Sequence, residues 1–317
     1  MNPLISSLQY TLRSVRVLSL IYGITLIMGL LVAFPFYNTL IVEDQNSLAF
    51  LKLLDGFDYT IYSDFMHRSK RTLTPLMSVG RWLGLAYLFL SVFFAGGILA
   101  RFTQFSSVRL SDSFTIGAFW QACSYYVARL LGLFAVTLLF VIVGAGLWLV
   151  IGTILALILS DTLTERGQFW IGLLFFTLFA LTAAFILCIG DYAKVLMIRD
   201  DESNAFRAFG RAGRLVLRNP VRTYGLYCLF ILIGTGLFGL YFLIDEAIPI
   251  RGWLTILIMF IVQQLFIFAR VGLKVWWLGT AYGVYERMPK PVFVSQPVSA
   301  PSQEMIPDNE NPGYTGE

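Results

Sequence analysis

From Leu130 to Ser160 the chain carries no charged side chain. About 20 apolar residues suffice for a helix to cross the hydrocarbon core of a bilayer. This run is about 31 residues long, so it reads as a membrane span that tilts or continues past the lipid. Five more apolar runs accompany it, at residues 17–37, 82–100, 169–189, 223–244 and 253–276. The first is longer than a signal-peptide core and has no A-x-A site after it, so it reads as an uncleaved span. Six spans predict an all-α, polytopic membrane helical bundle over residues 1–289. Composition agrees: 57% of residues are hydrophobic and 13% charged, against about 25% charged in soluble domains. That balance excludes a water-soluble globular enzyme.

The segments between the spans set the orientation. Lys52, Arg68, Lys70, Arg71, Arg81, Arg166 and Arg251 fall on one side, and the other 16 of the 23 basic residues fall on the opposite side or at its helix ends. Basic residues mark the cytoplasmic side, so both termini are expected inside, in the cytoplasmic membrane of a cell. Residues 38–81 then form an outer cap loop with two short helices, LAFLKLL and TIYSDFM. Residues 290–317 hold five prolines among small and polar residues and read as a disordered cytoplasmic tail.

The most distinctive inner segment is DDESNAFRAFGRAGRLVLRNPVR, residues 200–222. At about 100° per residue, Arg207, Arg211, Arg214, Arg218 and Arg222 fall within a sector of roughly 80°. Phe206, Phe209, Ala212 and Val216 fall opposite. The pattern predicts an amphipathic helix over 200–218, ended at Asn219-Pro220. Asp200, Asp201 and Glu202 would occupy its first turn, where acids suit the helix dipole, or pair with the arginines. The arginine stripe is an interfacial anchor in one reading and a site for anionic phospholipid headgroups or another phosphate in a second. Guanidinium forks match phosphate geometry. Nucleic acid is not expected, because membrane spans tie both ends of the helix.

A second group of charges lies at one membrane depth: Arg101, Asp191, Lys194, Arg270 and Lys274. Ionisable groups at such depth face protein or water, or reach the interface. Asp191 is expected to pair with Arg270 or Lys274, tying the fourth span to the sixth; a substrate or proton site is the alternative. Gln263 and Gln264 lie midway along the sixth span, where amides bond across helices or line a polar path. Gly144, Gly146 and Gly152, with Gly234, Gly236 and Gly239, permit close helix approach or motion in spans three and five.

Chemistry-bearing motifs are absent from the sequence. It has no phosphate-binding glycine loop, H-E-x-x-H, G-x-S-x-G or CxxC. Cys123, Cys188 and Cys228 lie in or beside apolar runs without ligand spacing, so neither a metal nor a disulfide framework is expected. His67 in the outer loop has no nucleophile or second ligand nearby and reads as a surface residue. No catalytic residue and no cofactor is predicted.

The ends of spans two and four share a pattern. Gly97, Ala100 and Arg101 match Gly190, Ala193 and Lys194, and Phe114 and Phe206 follow at similar distances. The repeated unit would be span, interfacial helix, span, which implies a pseudo-twofold axis along the membrane normal. In the first copy Ser111 or Asp112 would cap a separate connector helix. Coincidence is the alternative, because the shared pattern carries little information.

With Gly97, Arg101, Asp191, Ala205, Phe206 and the closing Tyr285-Glu286-Arg287, this layout resembles a broad superfamily of multi-pass bacterial membrane proteins. That superfamily includes the membrane domain attached to some glycerophosphodiester phosphodiesterases. The resemblance covers residues 80–287 and implies a fold more than an activity. The soluble phosphodiesterase domain and its metal-binding cluster have no counterpart here. The functional expectation is a non-enzymatic interaction or scaffold protein contacting anionic lipid, or an unidentified membrane-protein partner, through its basic helices. The alternatives are a small transporter or channel with a polar path near Gln263 and Gln264, and an intramembrane enzyme acting on lipids.

Overall fold

The computed structural model describes residues 3–44, 58–68, 70–107, 115–159, 164–248 and 252–288. The described residues up to Glu286 form one compact unit. The expected tail, the LAFLKLL segment, Phe114 and the candidate caps Ser111 and Asp112 lie outside the described residues.

Every described element is an α-helix: α1 (Pro3–Arg13), α2 (Val15–Asp44), α3 (Tyr59–Arg68), α4 (Lys70–Ser107), α5 (Ile116–Leu159), α6 (Glu165–Arg199), α7 (Ala205–Arg218), α8 (Pro220–Ala247) and α9 (Trp253–Arg287). Six of them, α2, α4, α5, α6, α8 and α9, are long and apolar enough to cross a membrane. The chain is an all-α, multi-pass membrane bundle.

The helices run past the apolar stretches that define the spans. Residues 38–44 continue α2 and residues 70–81 open α4, so much of the expected outer loop is helical extension. TIYSDFM falls within α3 as expected. The larger departure is α5, a single helix of 44 residues, about 66 Å long at 1.5 Å per residue. Residues 116–129 were expected as a separate connector helix and instead continue into the third span. Phe119, Cys123, Leu130, Leu133 and Thr137 are buried along this stretch. Their spacings of three, four and seven keep one face against the neighbouring helices. The stretches that follow the shared pattern in spans two and four therefore differ: α7 is a separate helix, whereas residues 116–129 are fused to the third span.

Two adjacent breaks separate α6, α7 and α8. Asp200 caps the C-terminus of α6, and Asp201 takes a left-handed backbone, φ 48°, a conformation Asp tolerates better than most residues. Asn204 then caps α7, its side chain accepting from the Arg207 amide at 3.2 Å. Asn219 ends α7, and Pro220 takes the first position of α8, where its missing N–H costs nothing. The buried Thr223 hydroxyl donates to the Asn219 carbonyl at 2.8 Å and fastens this corner.

Burial is unequal along the bundle. The end that holds α1, α7 and the C-terminal ends of α4, α6 and α9, here the basic end, contains the core: Leu99, Cys123, Leu130, Leu133, Tyr192, Ala193, Met197, Ala212, Val216 and Ala281 are each at most 1% exposed. In the opposite, far halves of the spans, only Leu76 and Met259 are buried among the described side chains. Lipid solvates apolar side chains as well as protein does, so the spans gain little by touching one another. At the basic end α1 and α7 join the ends of the long helices, and the packed core forms there. Phe34, Tyr37, Trp82, Trp170 and Trp253 are exposed near the far end, in the manner of an interfacial aromatic belt.

Candidate functional site

The α6–α7 turn and α7 itself form the first candidate site. The acids that open this segment precede the helix rather than occupying its first turn, and Asn204 takes the capping role. Each acid reaches a different element. Asp200 Oδ2 accepts from the Tyr285 hydroxyl of α9 at 2.8 Å. Asp201 pairs with Arg129 of α5. Glu202 holds Arg211 at 2.7 Å and Arg207 at 3.7 Å. Beside them, Arg199 faces the rings of Tyr285 at 5.2 Å and Tyr282 at 5.8 Å, with Glu286 at 3.9 Å. These ties lock the turn to the basic-end core.

Helix α7 has three faces. Ala208, Phe209, Ala212 and Val216 are buried against α5 and α6, with Phe209 stacked on Phe140 at 4.7 Å. The arginines occupy a second face. The stripe is shorter than expected, since Arg222 belongs to α8 beyond the Asn219 break. Arg207 and Arg211 are held by Glu202, whereas Arg214, Arg218 and Arg222 have no carboxylate within ion-pair range among the described residues. The third face is apolar and open. Phe206, expected on the buried side, is 61% exposed; Leu217 is 67% exposed, and Val221, at the start of α8, is 83% exposed. At about 100° per residue Phe206 and Leu217 lie next to the arginine sector, not opposite it.

The second candidate site is the cluster of charges at membrane depth, and its pairing differs from expectation. Asp191 Oδ1 pairs with Lys194 Nζ at 2.7 Å, one helical turn away. Asp191 Oδ2 accepts from the indole N–H of Trp277 at 2.8 Å. The tie between α6 and α9 exists, but Trp277 makes it, not Arg270 or Lys274. Lys274 instead donates to the Ser91 hydroxyl of α4. Arg101 donates to the Tyr10 hydroxyl of α1 at 3.0 Å. Arg270 is exposed.

Both mid-span amides bond across helices. Gln263 Nε2 donates to Tyr241 of α8 at 3.0 Å, and Gln264 Oε1 accepts from Tyr22 of α2 at 2.8 Å. A cavity of about 110 Å³ lies between α5 and α6 beside Gly152 and Gln168, and an open groove runs along Val15, Arg16 and Ile116. Neither is lined by Gln263 or Gln264. Of the six span glycines, Gly144 and Gly152 meet α6 side chains and Gly234 meets Leu273 of α9; Gly146, Gly236 and Gly239 face open space. Among the described residues no group of His, Cys, Asp and Glu is placed to hold a metal ion.

Helix α1 has no counterpart in the sequence reading. Residues 1–16 lack an apolar run, yet Ser7, Thr11 and Ser14 are buried. Ser7 and Thr280 share a hydrogen bond of 2.8 Å, and Trp276 donates to the Leu4 carbonyl at 3.0 Å. The available signal was the polar but regular spacing of Ser7, Thr11 and Ser14, which puts three hydroxyls on one helical face.

Comparison of the chain with protein-family models, with curated proteins and with solved structures finds no match.

Proposed function

We propose that this chain is a non-enzymatic membrane-interaction or scaffold protein of the bacterial cytoplasmic membrane, with both termini in the cytoplasm. In this reading α7 lies against the inner leaflet and engages anionic phospholipid headgroups. The observation that carries it is the order of faces on α7: a buried face, then Arg214 and Arg218 without carboxylates, then the exposed Phe206 and Leu217. A helix free in water gains nothing from exposed Phe and Leu beside arginines. At a lipid surface the apolar side chains enter the acyl boundary and the guanidinium groups meet phosphate. Each basic residue near an anionic surface contributes on the order of 1 kcal/mol.

The test uses the full chain in nanodiscs of phosphatidylcholine, with or without phosphatidylglycerol, and follows hydrogen exchange along residues 205–222. Phosphatidylglycerol is expected to slow exchange there in the native chain and to have no effect when Arg214, Arg218 and Arg222 are all replaced by Gln. Equal exchange of the native chain in both bilayers, with the six spans folded, would remove this reading.

A further inference from the structure

Contacts between neighbours link all six spans. α4 packs on α2 and α5, and α6 packs on α5 and α8. The Gln263–Tyr241 bond joins α9 to α8, and the Gln264–Tyr22 bond joins α9 to α2. At the basic end the space between α4, α6 and α9 is filled. Trp277 reaches Asp191 of α6, and Lys274 reaches Ser91 of α4. Toward the far end the filling stops. From Met77 to Ser91, about four turns of α4, no residue is buried, and nothing lies within 4 Å of where a Cβ on Gly80 or Gly84 would stand.

Arg270 stands where the filled and open parts meet. It is one turn from Lys274 and two turns from Trp277, so it shares the face of α9 that is turned toward α4 and α6. On that face it is nevertheless exposed. It lies about 25 Å along α9 from Trp253, within the lipid-spanning length. Arg270 and Lys274 share the face of α9 that meets α6 through Trp277, and the one carboxylate there, Asp191, is already occupied by Lys194 and Trp277. Excess positive charge at this depth calls for an anion, and residues 82–90 of α4 above it are apolar.

We propose that the open space between α4 and α9 holds an anionic phospholipid, its phosphodiester on Arg270 and Lys274 and its acyl chains along the unpacked far halves of the spans. A lipid of the basic-side leaflet has this polarity, with phosphate toward the basic end and chains toward the midplane. The site is independent of α7, so the two can fail separately.

The experiment is native mass spectrometry of the full chain in mild detergent, with phosphatidylglycerol or phosphatidylcholine added. The native chain should retain one phosphatidylglycerol in preference to phosphatidylcholine. Arg270→Gln should weaken that retention by about fivefold or more, the equivalent of about 1 kcal/mol, and Arg270→Lys should restore most of it. Replacing Arg214, Arg218 and Arg222 by Gln should leave this lipid in place, and a phospholipid with a photoactivatable acyl chain should label residues 77–91 of α4. The proposal is overturned if Arg270→Gln retains lipid as the native chain does, if headgroup charge makes no difference, if labelling avoids α4, or if millimolar inorganic phosphate displaces the lipid, which would mark a site for free anions.

Discussion

The indole of Trp277 donates to Asp191 Oδ2 at 2.8 Å while Lys194 holds the other carboxylate oxygen at 2.7 Å. One carboxylate therefore ends a charge pair within α6 and begins a bond to α9. Hydrogen bonds to charged groups contribute about 1.5–3 kcal/mol. Asp191→Leu removes both bonds and leaves Lys194 without its anion, so it should destabilise by about 2–4 kcal/mol. Asp191→Asn keeps an acceptor for Trp277 and should cost less than half as much. In a double-mutant cycle with Trp277→Phe, read by thermal unfolding in lipid nanodiscs, a coupling energy of about 0.5–3 kcal/mol is expected. Simple additivity would mean that the bond contributes nothing.

Close helix approach at the basic end makes three glycines intolerant of a methyl group. A Cβ on Gly97 would stand 2.5 Å from Cys123 Sγ and 2.6 Å from the Phe119 ring; one on Gly190 would stand 2.9 Å from Thr137; one on Gly279 would meet Phe102. Gly→Ala at each should cost about 1–3 kcal/mol by overpacking. At Gly80, where the space is open, the same change should raise stability by roughly 0.5–1 kcal/mol through helix propensity. Unfolding midpoints of the four variants in one lipid mixture decide this, and equal shifts would contradict the packing.

These sites also mark what was legible in the sequence. The spans were, because crossing lipid demands about 20 apolar residues in a row. Gly97 and Gly190 stood out as a shared pattern, and both turn out to be points of close approach to α5. The fusion of residues 116–129 into α5 was obscured by Gln121, Ser124 and Arg129, although Phe119, Cys123 and Leu130 already had helical spacing. Charge matching suggested cations for Asp191 on α9, but Lys194 lies on the same helix and takes that role locally. Trp277 carries no charge, so no pairing rule pointed to it. The arginine sector on α7 and its pairing with the preceding acids were readable, but which arginines Glu202 takes was not, because that depends on how the turn at Asp201 folds back.

The seam between α1 and α9 contains a buried pair of hydroxyls. Ser7 and Thr280 are both buried and bond at 2.8 Å. Thr280→Val keeps the volume but leaves the Ser7 hydroxyl without this partner, a loss of about 1–3 kcal/mol for a buried polar group. Ser7→Ala with Thr280→Val removes both hydroxyls and should recover part of that loss. Hydrogen exchange along residues 3–13 reads the change directly: the single Thr280→Val variant should speed exchange in α1 without altering α8. Unchanged α1 exchange would show that the Trp276–Leu4 and Arg101–Tyr10 bonds seat this helix without the hydroxyl pair.

Glu202 determines how many arginines of α7 are available. It pairs with Arg211 at 2.7 Å and Arg207 at 3.7 Å, and its own side chain is mostly covered. Arg214 and Arg218 lie beyond its reach on the same face, and Arg222 follows on α8. Glu202→Gln keeps the shape and removes the negative charge that holds Arg207 and Arg211 beside Phe206. In nanodiscs containing phosphatidylglycerol, exchange along residues 205–222 should then slow beyond the native level, and raising salt should reverse the gain, because exposed charges are screened over about 8–10 Å at physiological ionic strength. Arg207→Gln in the Glu202→Gln background should return about half of the change. If Glu202→Gln instead speeds exchange in both phosphatidylcholine and phosphatidylglycerol bilayers, the pair serves to hold the α6–α7 turn, and the headgroup contact rests on Arg214, Arg218 and Arg222 alone.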